Sequence, residues 1–294
     1  MMAAIMSVLM IMVTESMTTL SSVRSEQRTG FRVSAIADKM ARRIEEDIEF
    51  ASRIFVDTVD DAAHLQAMQL GVSLDAPSYR LPALTEHGYF APDRAVPETG
   101  NVLMLAKRGP KVSATYLAAD YHIDSLVFVV YAPVADGSGL ELIRWTSEIM
   151  VNYWDIMEIS DVLARQDILQ QLYDNEVFYC WDMMAEQSSA FWEIGSDGTL
   201  TPRSVSNPVT GREDPDYSRM LRARRIQIAE NGAEIPHDVP AFAVAETNFP
   251  HGFEVKVDGS SAGKLVLVRM VMRSRDGRVR TASHEIHRLY TTNG

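Results

Sequence analysis

The stretch MMAAIMSVLMIMV (Met1–Val13) decides how the chain is to be read, because thirteen residues carry one hydroxyl, Ser7, and no charge. The first charge is Glu15 and the first base Arg24, within the polar continuation TESMTTLSSVRSEQRTG. Ten to fourteen apolar residues fall short of the roughly 20 that a helix needs to cross a bilayer. No basic segment precedes the run and no A-x-A site comes after it, so it does not have the form of a secretory signal. The next segment carries more information. Between Val23 and Val56 there is no proline and one glycine, Gly30. Val33, Ile36, Ala37, Met40, Ile44, Ile48, Ala51 and Phe55 recur at steps of three and four, which places them on one stripe of a helix. Asp38–Arg42 and Glu49–Arg53 put acid four residues before base, the favourable order on the opposite face. Residues 1–56 therefore read as one long helix, or as two halves with a weak joint near Ser21 to Gly30, apolar all round at first and on one side afterwards, with Glu45 to Glu49 spread over its solvent face.

Composition bounds the rest. The 294 residues carry a formal charge of −12, which argues against nucleic acid as a partner. RARR (Arg222–Arg225) is too short to change that and reads as a solvated face. One cysteine, Cys180, excludes an intramolecular disulfide. After Val56 comes a proline-rich loop region. Strand signals then accumulate in NVLMLAK, VSATYLA, IDSLVFVVYA and LELIRWT, with Asp-Gly hairpin turns in PVADGSG and later in FWEIGSDGTLTP and SRDGR. MEISDVLARQDILQQLY is the one clear internal helix. Ile159, Val162, Leu163, Leu169 and Leu172 share its face, and Ser160 or Asp161 caps it. GFEVKV, KLVLVRMVM and RVRTASHEIHRL close the chain as a meander. The expected class is α+β: a long N-terminal α-helix (1–56) packed on a head domain (57–294) with an antiparallel β-sheet.

Candidate chemistry is sparse. GSSAG (Gly259–Gly263) matches G-x-S-x-G, but strands flank it where a nucleophile elbow needs a helix. His284 and His287 in HEIH fall on opposite faces of a strand and cannot share a metal. Cys180 in FYCWD reads as a small buried hydrophobe. The sequence names no catalytic residue, no cofactor and no metal ligand.

An apolar half-helix, a polar break, an amphipathic continuation ending RRIEEDIEFASRIF and a β-rich head together resemble the type IV pilin and pseudopilin family. The layout is similar to its larger minor pilins and J-type pseudopilins. The leader, its Gly, the aromatic first residue and the subsequent Glu are absent from the sequence as given. If Met1 is internal, roughly seven more residues would bring the apolar run near membrane-spanning length. The resemblance implies a non-enzymatic filament subunit of a type IV pilus or type II secretion system. It implies an inner-membrane anchor, with the head in the periplasm or on an extracellular filament, before the helix packs among other subunits. The membrane and assembly residues would be Met1, Met2, Ala3, Ala4, Ile5, Met6, Val8, Leu9, Met10, Ile11, Met12 and Val13. Val33, Ile36, Ala37, Met40, Ile44, Ile48, Ala51 and Phe55 would pack the helix on the head. Expected partners are other pilin or pseudopilin subunits and membrane lipid, with no nucleic acid. A membrane-tethered envelope hydrolase or ligand-binding protein is the alternative.

Overall fold

A computed structural model describes residues 2–74, 78–85, 99–136, 139–185, 191–203, 221–227, 233–235, 252–260, 263–274 and 282–291. Its first element, α1 (Met2–Glu49), is 48 residues long, about 70 Å at the usual rise. Helix gives way at once to the strand Ala51–Ile54. The expected helix to residue 56 is therefore shorter, and Ala51 and Phe55 lie beyond it.

Two sheets receive the helix. The larger is built on the strand Ser125–Asp136. Leu103–Arg108 pairs along one edge of it, and Gly139–Ser147 and Met150–Asn152 pair along the other. Ala51–Ile54 extends the first edge, and Leu221–Gln227 and then Met68–Gln69 extend the second. A branch continues from Met150–Asn152 through Tyr179–Trp181 and Phe191–Ile194 to Leu200–Arg203. The smaller sheet has Gly263–Ser274 at its centre, between Phe253–Ser260 and Ala282–Thr291. Leu84–Thr85 and Ala233–Glu234 join it at the margins. Bridges Gly100↔Val255 and Leu140↔Ile235 tie the two sheets together. At Gly100 a Cβ would come within 2.5 Å of the Arg80 carbonyl oxygen and the Leu81–Pro82 backbone, so only glycine fits the crossing.

This corrects the expected class. Of the described residues 44% are strand and 33% helix, in a mixed rather than antiparallel arrangement, so the α+β description does not hold. Parallel pairs join Val151 to Cys180, Met68 to Leu221 and Leu84 to Val257. The physical reason lies in the internal helices α3 (Tyr153–Met157) and α4 (Val162–Asp174). They carry the chain from Met150–Asn152 back to a parallel neighbour, a crossover that hairpin signals cannot announce. Asp161 caps α4, its carboxylate accepting from the Leu163 and Ala164 amides. That rotation buries Ala164, Ile168, Leu169 and Leu172 and turns Val162 and Leu163 outward, against the expected face.

The central strands bury both faces, which is why they read as nearly unbroken apolar runs. Leu103, Leu105, Val129, Tyr131 and Leu142 point to α1. Met104, Ala106, Phe128, Val130, Ile143 and Trp145 point the other way, to a second core that contains Phe55, Leu81 and Trp181. Phe55 is fully buried there, not under the helix. A short helix, α2 (Val59–Gln66), covers this second face; its start is capped by Thr58, which accepts from the Asp61 amide.

Val33, Ile36, Ala37, Met40, Ala41, Ile44 and Ile48 are the buried stripe of α1, set against strands of both sheets. Ile44→Ala is expected to cost about 2–5 kcal/mol, because the cavity opens where helix and sheets meet. Met10→Ala, on the exposed part of the helix, is expected to change stability by no more than about 0.5 kcal/mol. Urea unfolding of the two variants checks the contrast.

Candidate assembly surface and the charge cluster behind it

The head holds α1 by one buried carboxylate. Asp47 lies one turn after Ile44 on the head-facing stripe and is fully buried. It accepts from Tyr131 Oη at 2.5 Å, Arg144 Nε at 2.7 Å and Arg144 Nη2 at 3.2 Å, and from Lys107 Nζ at 2.7 Å. Burial alone would raise its pKa, but the bonds from Arg144, Lys107 and Tyr131 prevail and hold the carboxyl below its ordinary value. Tyr131 moves the opposite way, raised by burial and by the adjacent carboxylate. The expectation that Glu45 to Glu49 all face solvent fails at Asp47. Its spacing from Met40 and Ile44 was the available signal.

N-terminal to Val33 the same side of the helix becomes polar. Continuing the stripe on a helix of 3.6 residues per turn brings up Glu15, Thr18, Thr19, Ser22, Glu26 and Thr29. Several of these hydroxyls donate back to the helix's own carbonyls: Thr18 to Thr14 and Glu15, Thr19 to Glu15, Ser22 to Thr19 and Thr29 to Ser25. The apolar residues move to the far side. Met6, Met10, Val13, Met17 and Leu20 are spaced four, three, four and three, the seam pattern of a coiled coil. All five are 52–76% exposed. On a straight helix this seam lies roughly 170° from the head-facing stripe. It therefore points away from the head, and its five side chains are left exposed.

Of the expected assembly residues, the side chains of Met6, Met10, Met12 and Val13 are exposed. Those of Met1, Met2, Ala3, Ala4, Ile5, Val8, Leu9 and Ile11 lie outside the described residues, although from Met2 their backbone is helical. The expected inner-membrane anchor is corrected here: among the described residues no helix is long and apolar enough to cross a membrane. The reason is local. After Val13 the helix takes on Thr14, Glu15, Ser16, Thr18, Thr19, Ser21 and Ser22, which bound the apolar run on that side.

The other candidates separate from one another. Cys180 is buried in the strand Tyr179–Trp181, and burial pushes its thiol pKa far up, which disfavours the thiolate. Ser261 and Ala262 of GSSAG lie outside the described residues, while Ser260 and Gly263 are paired at a hairpin end. His284 and His287 are backbone partners of Met270 and Leu267 in an antiparallel ladder; their side chains lie outside the described residues. No group of three or more potential metal ligands is found among the described residues.

Sequence reading passed over His64, on α2. It sits among Phe55, Phe128, Trp181 and Phe191, with ring centroids 5.1–6.0 Å away. Nδ1 lies 2.7 Å from the Asp60 carbonyl, and Trp181 Nε1 donates to Nε2 at 3.2 Å. Those partners select the neutral ring protonated at Nδ1. Arg53 stacks over Phe55 and bonds Asp61, whose other oxygen accepts from the Val56 amide. This is a satisfied structural site that fastens α2 to the sheet.

No family model, no curated protein and no solved structure matches the chain.

These geometries set two titrations. Asp47 has a depressed folded pKa, so its contribution is present above the unfolded value of 3.8 and is lost as pH falls through the folded one. Asp47→Ala, which strands the buried Arg144 and leaves the half-buried Lys107 without this partner, is expected to cost about 3–5 kcal/mol at neutral pH. Denaturation at a series of pH values should show that gap closing in acid. His64 is lowered chiefly by burial, so the unfolded chain takes up the proton first as pH falls below 6.5. Stability should decline there in the wild type, and His64→Gln, which does not titrate, should flatten the slope. Calorimetry of the two proteins between about pH 8 and 5 tests this.

Proposed function

We propose that the chain is a non-enzymatic, pilin-like structural subunit, a minor pilin or pseudopilin of a type IV pilus or type II secretion filament, assembled through its N-terminal helix. The observation that carries the reading is the position of the seam. A helix apolar on its head-facing side would need the head alone. This helix presents Met6, Met10, Val13, Met17 and Leu20 on the opposite side, beyond the head's reach. A stripe of that spacing is stable in water when another helix covers it. Thr14, Ser16 and Ser21 flank the seam with small side chains that permit close approach. Met, with its flexible thioether, fills such an interface without demanding one geometry. The partners are helices of like subunits.

Disulfide trapping tests it. Met17→Cys in the seam should form an inter-subunit disulfide under mild oxidation, because such a bond needs Cα atoms within about 7 Å. Ser22→Cys, on the other side, should not. Buried Cys180 leaves the background low. Equal trapping at both positions, or none at either, would refute assembly through this face.

A further inference from the structure

Past Leu20 the outward face of α1 changes character. Arg24, Arg28 and Arg32 recur at steps of four, and Phe31 stands between them, 76% exposed. Like charges four residues apart destabilise a helix slightly, so the triad gains when an anionic surface lies against it. From Arg24 to Arg43 the helix carries six bases against Glu26 and Asp38. The chain outside α1 is the reverse: 22 bases against 33 acids.

One part of the head matches this face in both charge and polarity. From Tyr153 to Glu176, spanning α3 and α4, there are Asp155, Glu158, Asp161, Asp167, Asp174 and Glu176 against the single base Arg165. Arg165 is turned inward, donating to the Ile159 carbonyl at 2.7 Å. Trp154 on α3 and Val162 and Leu163 on α4 are 47–65% exposed. Exposed apolar side chains in a segment rich in acids are the counterpart of Phe31 with its arginines.

We propose that the α3–α4 surface of one copy seats on the outward face of α1 between Leu20 and Arg32 of the next copy. Phe31 then meets Trp154, Val162 and Leu163, while the three arginines face Glu158, Asp161 and Asp167. The inference rests on the assembly reading proposed for the seam and names a second contact within it. The contact joins two different patches, so it is heterologous and propagates from copy to copy.

Charge exchange on the full chain tests it, with sedimentation velocity at low and high salt as the readout. R24E/R28E/R32E and, separately, E158K/D167K should each raise the dissociation constant about tenfold or more, and the wild-type association should weaken with salt. Asp161 is left in place because it caps α4. Mixing the two variants, or combining them in one chain, should restore association, since reversed arginines then meet reversed acids. Thermal unfolding confirms that each variant is folded. If the Met17→Cys disulfide forms but neither reversal changes association, this contact is wrong and the seam reading stands. If reversals weaken association and mixing fails to restore it, the pairing is wrong. If the wild type stays monomeric and Met17→Cys gives no disulfide, both readings fall.

Discussion

Asp47 sets the rotation and depth of the helix, and through them everything the helix presents outside the head. A slip of one residue would turn the rod by about 100°. It would draw the carboxylate away from Tyr131, Arg144 and Lys107, leaving the buried Arg144 without its counter-charge. Apolar packing tolerates small sliding; a carboxylate gripped by three side chains does not. The stripe from Val33 to Ile48 supplies affinity between rod and head, and Asp47 supplies register. The direction of the Met6–Leu20 seam is thus fixed by chemistry that lies buried about seven to eleven turns along the same helix.

The sheet beneath is shaped by the same need. Its central strands receive α1 on one face and the Phe55–Phe128–Trp181 cluster with α2 on the other. A sheet buried on both sides must be apolar at consecutive positions, as LVFVVYA is, and polar groups enter only where they are answered. Tyr131 and Arg144 are answered by Asp47, and His64 by Asp60 and Trp181. Where the chain needs another strand beside Met150–Asn152 it returns through α3 and α4. That crossover also carries the exposed Trp154, Val162 and Leu163 and a segment rich in acids.

Much of the rod was legible in the sequence because a run without proline and with apolar steps of three and four has few other solutions. Six of the eight stripe residues lie buried on α1, while Ala51 and Phe55 passed into strand because spacing does not say where a helix stops. The parallel pairs were not legible, since each depends on contacts between distant segments. Neither was the hairpin of Val112–Tyr116 with Ala119–Ile123, whose turn uses Leu117 and Ala118 at positive φ where Gly or Asn is the usual signal. The loop reading of VDDAAHLQ ignored Thr58 as a cap and the acids of the first turn, and so missed α2 and His64. At the N-terminus, an apolar run invited a membrane. The four-three spacing of Met6 to Leu20 becomes meaningful only once the head shows which side of the helix is already occupied.

A seam flanked by Thr14, Ser16 and Ser21 has no charge with which to choose the direction of its partner. Met and Val side chains pack nearly as well against a parallel helix as against an antiparallel one. Orientation must therefore come from elsewhere in the molecule, and it must come from a contact that is not its own mirror. The arginine face of α1 and the acidic face of α3–α4 meet that requirement, because one is on the rod and the other on the head. In the proposed assembly, apolar burial would hold copies together while charge decided which way they point. An assembly built on that proposed contact would grow by repetition of one polar step, and close only if the rotation per step divided a full turn.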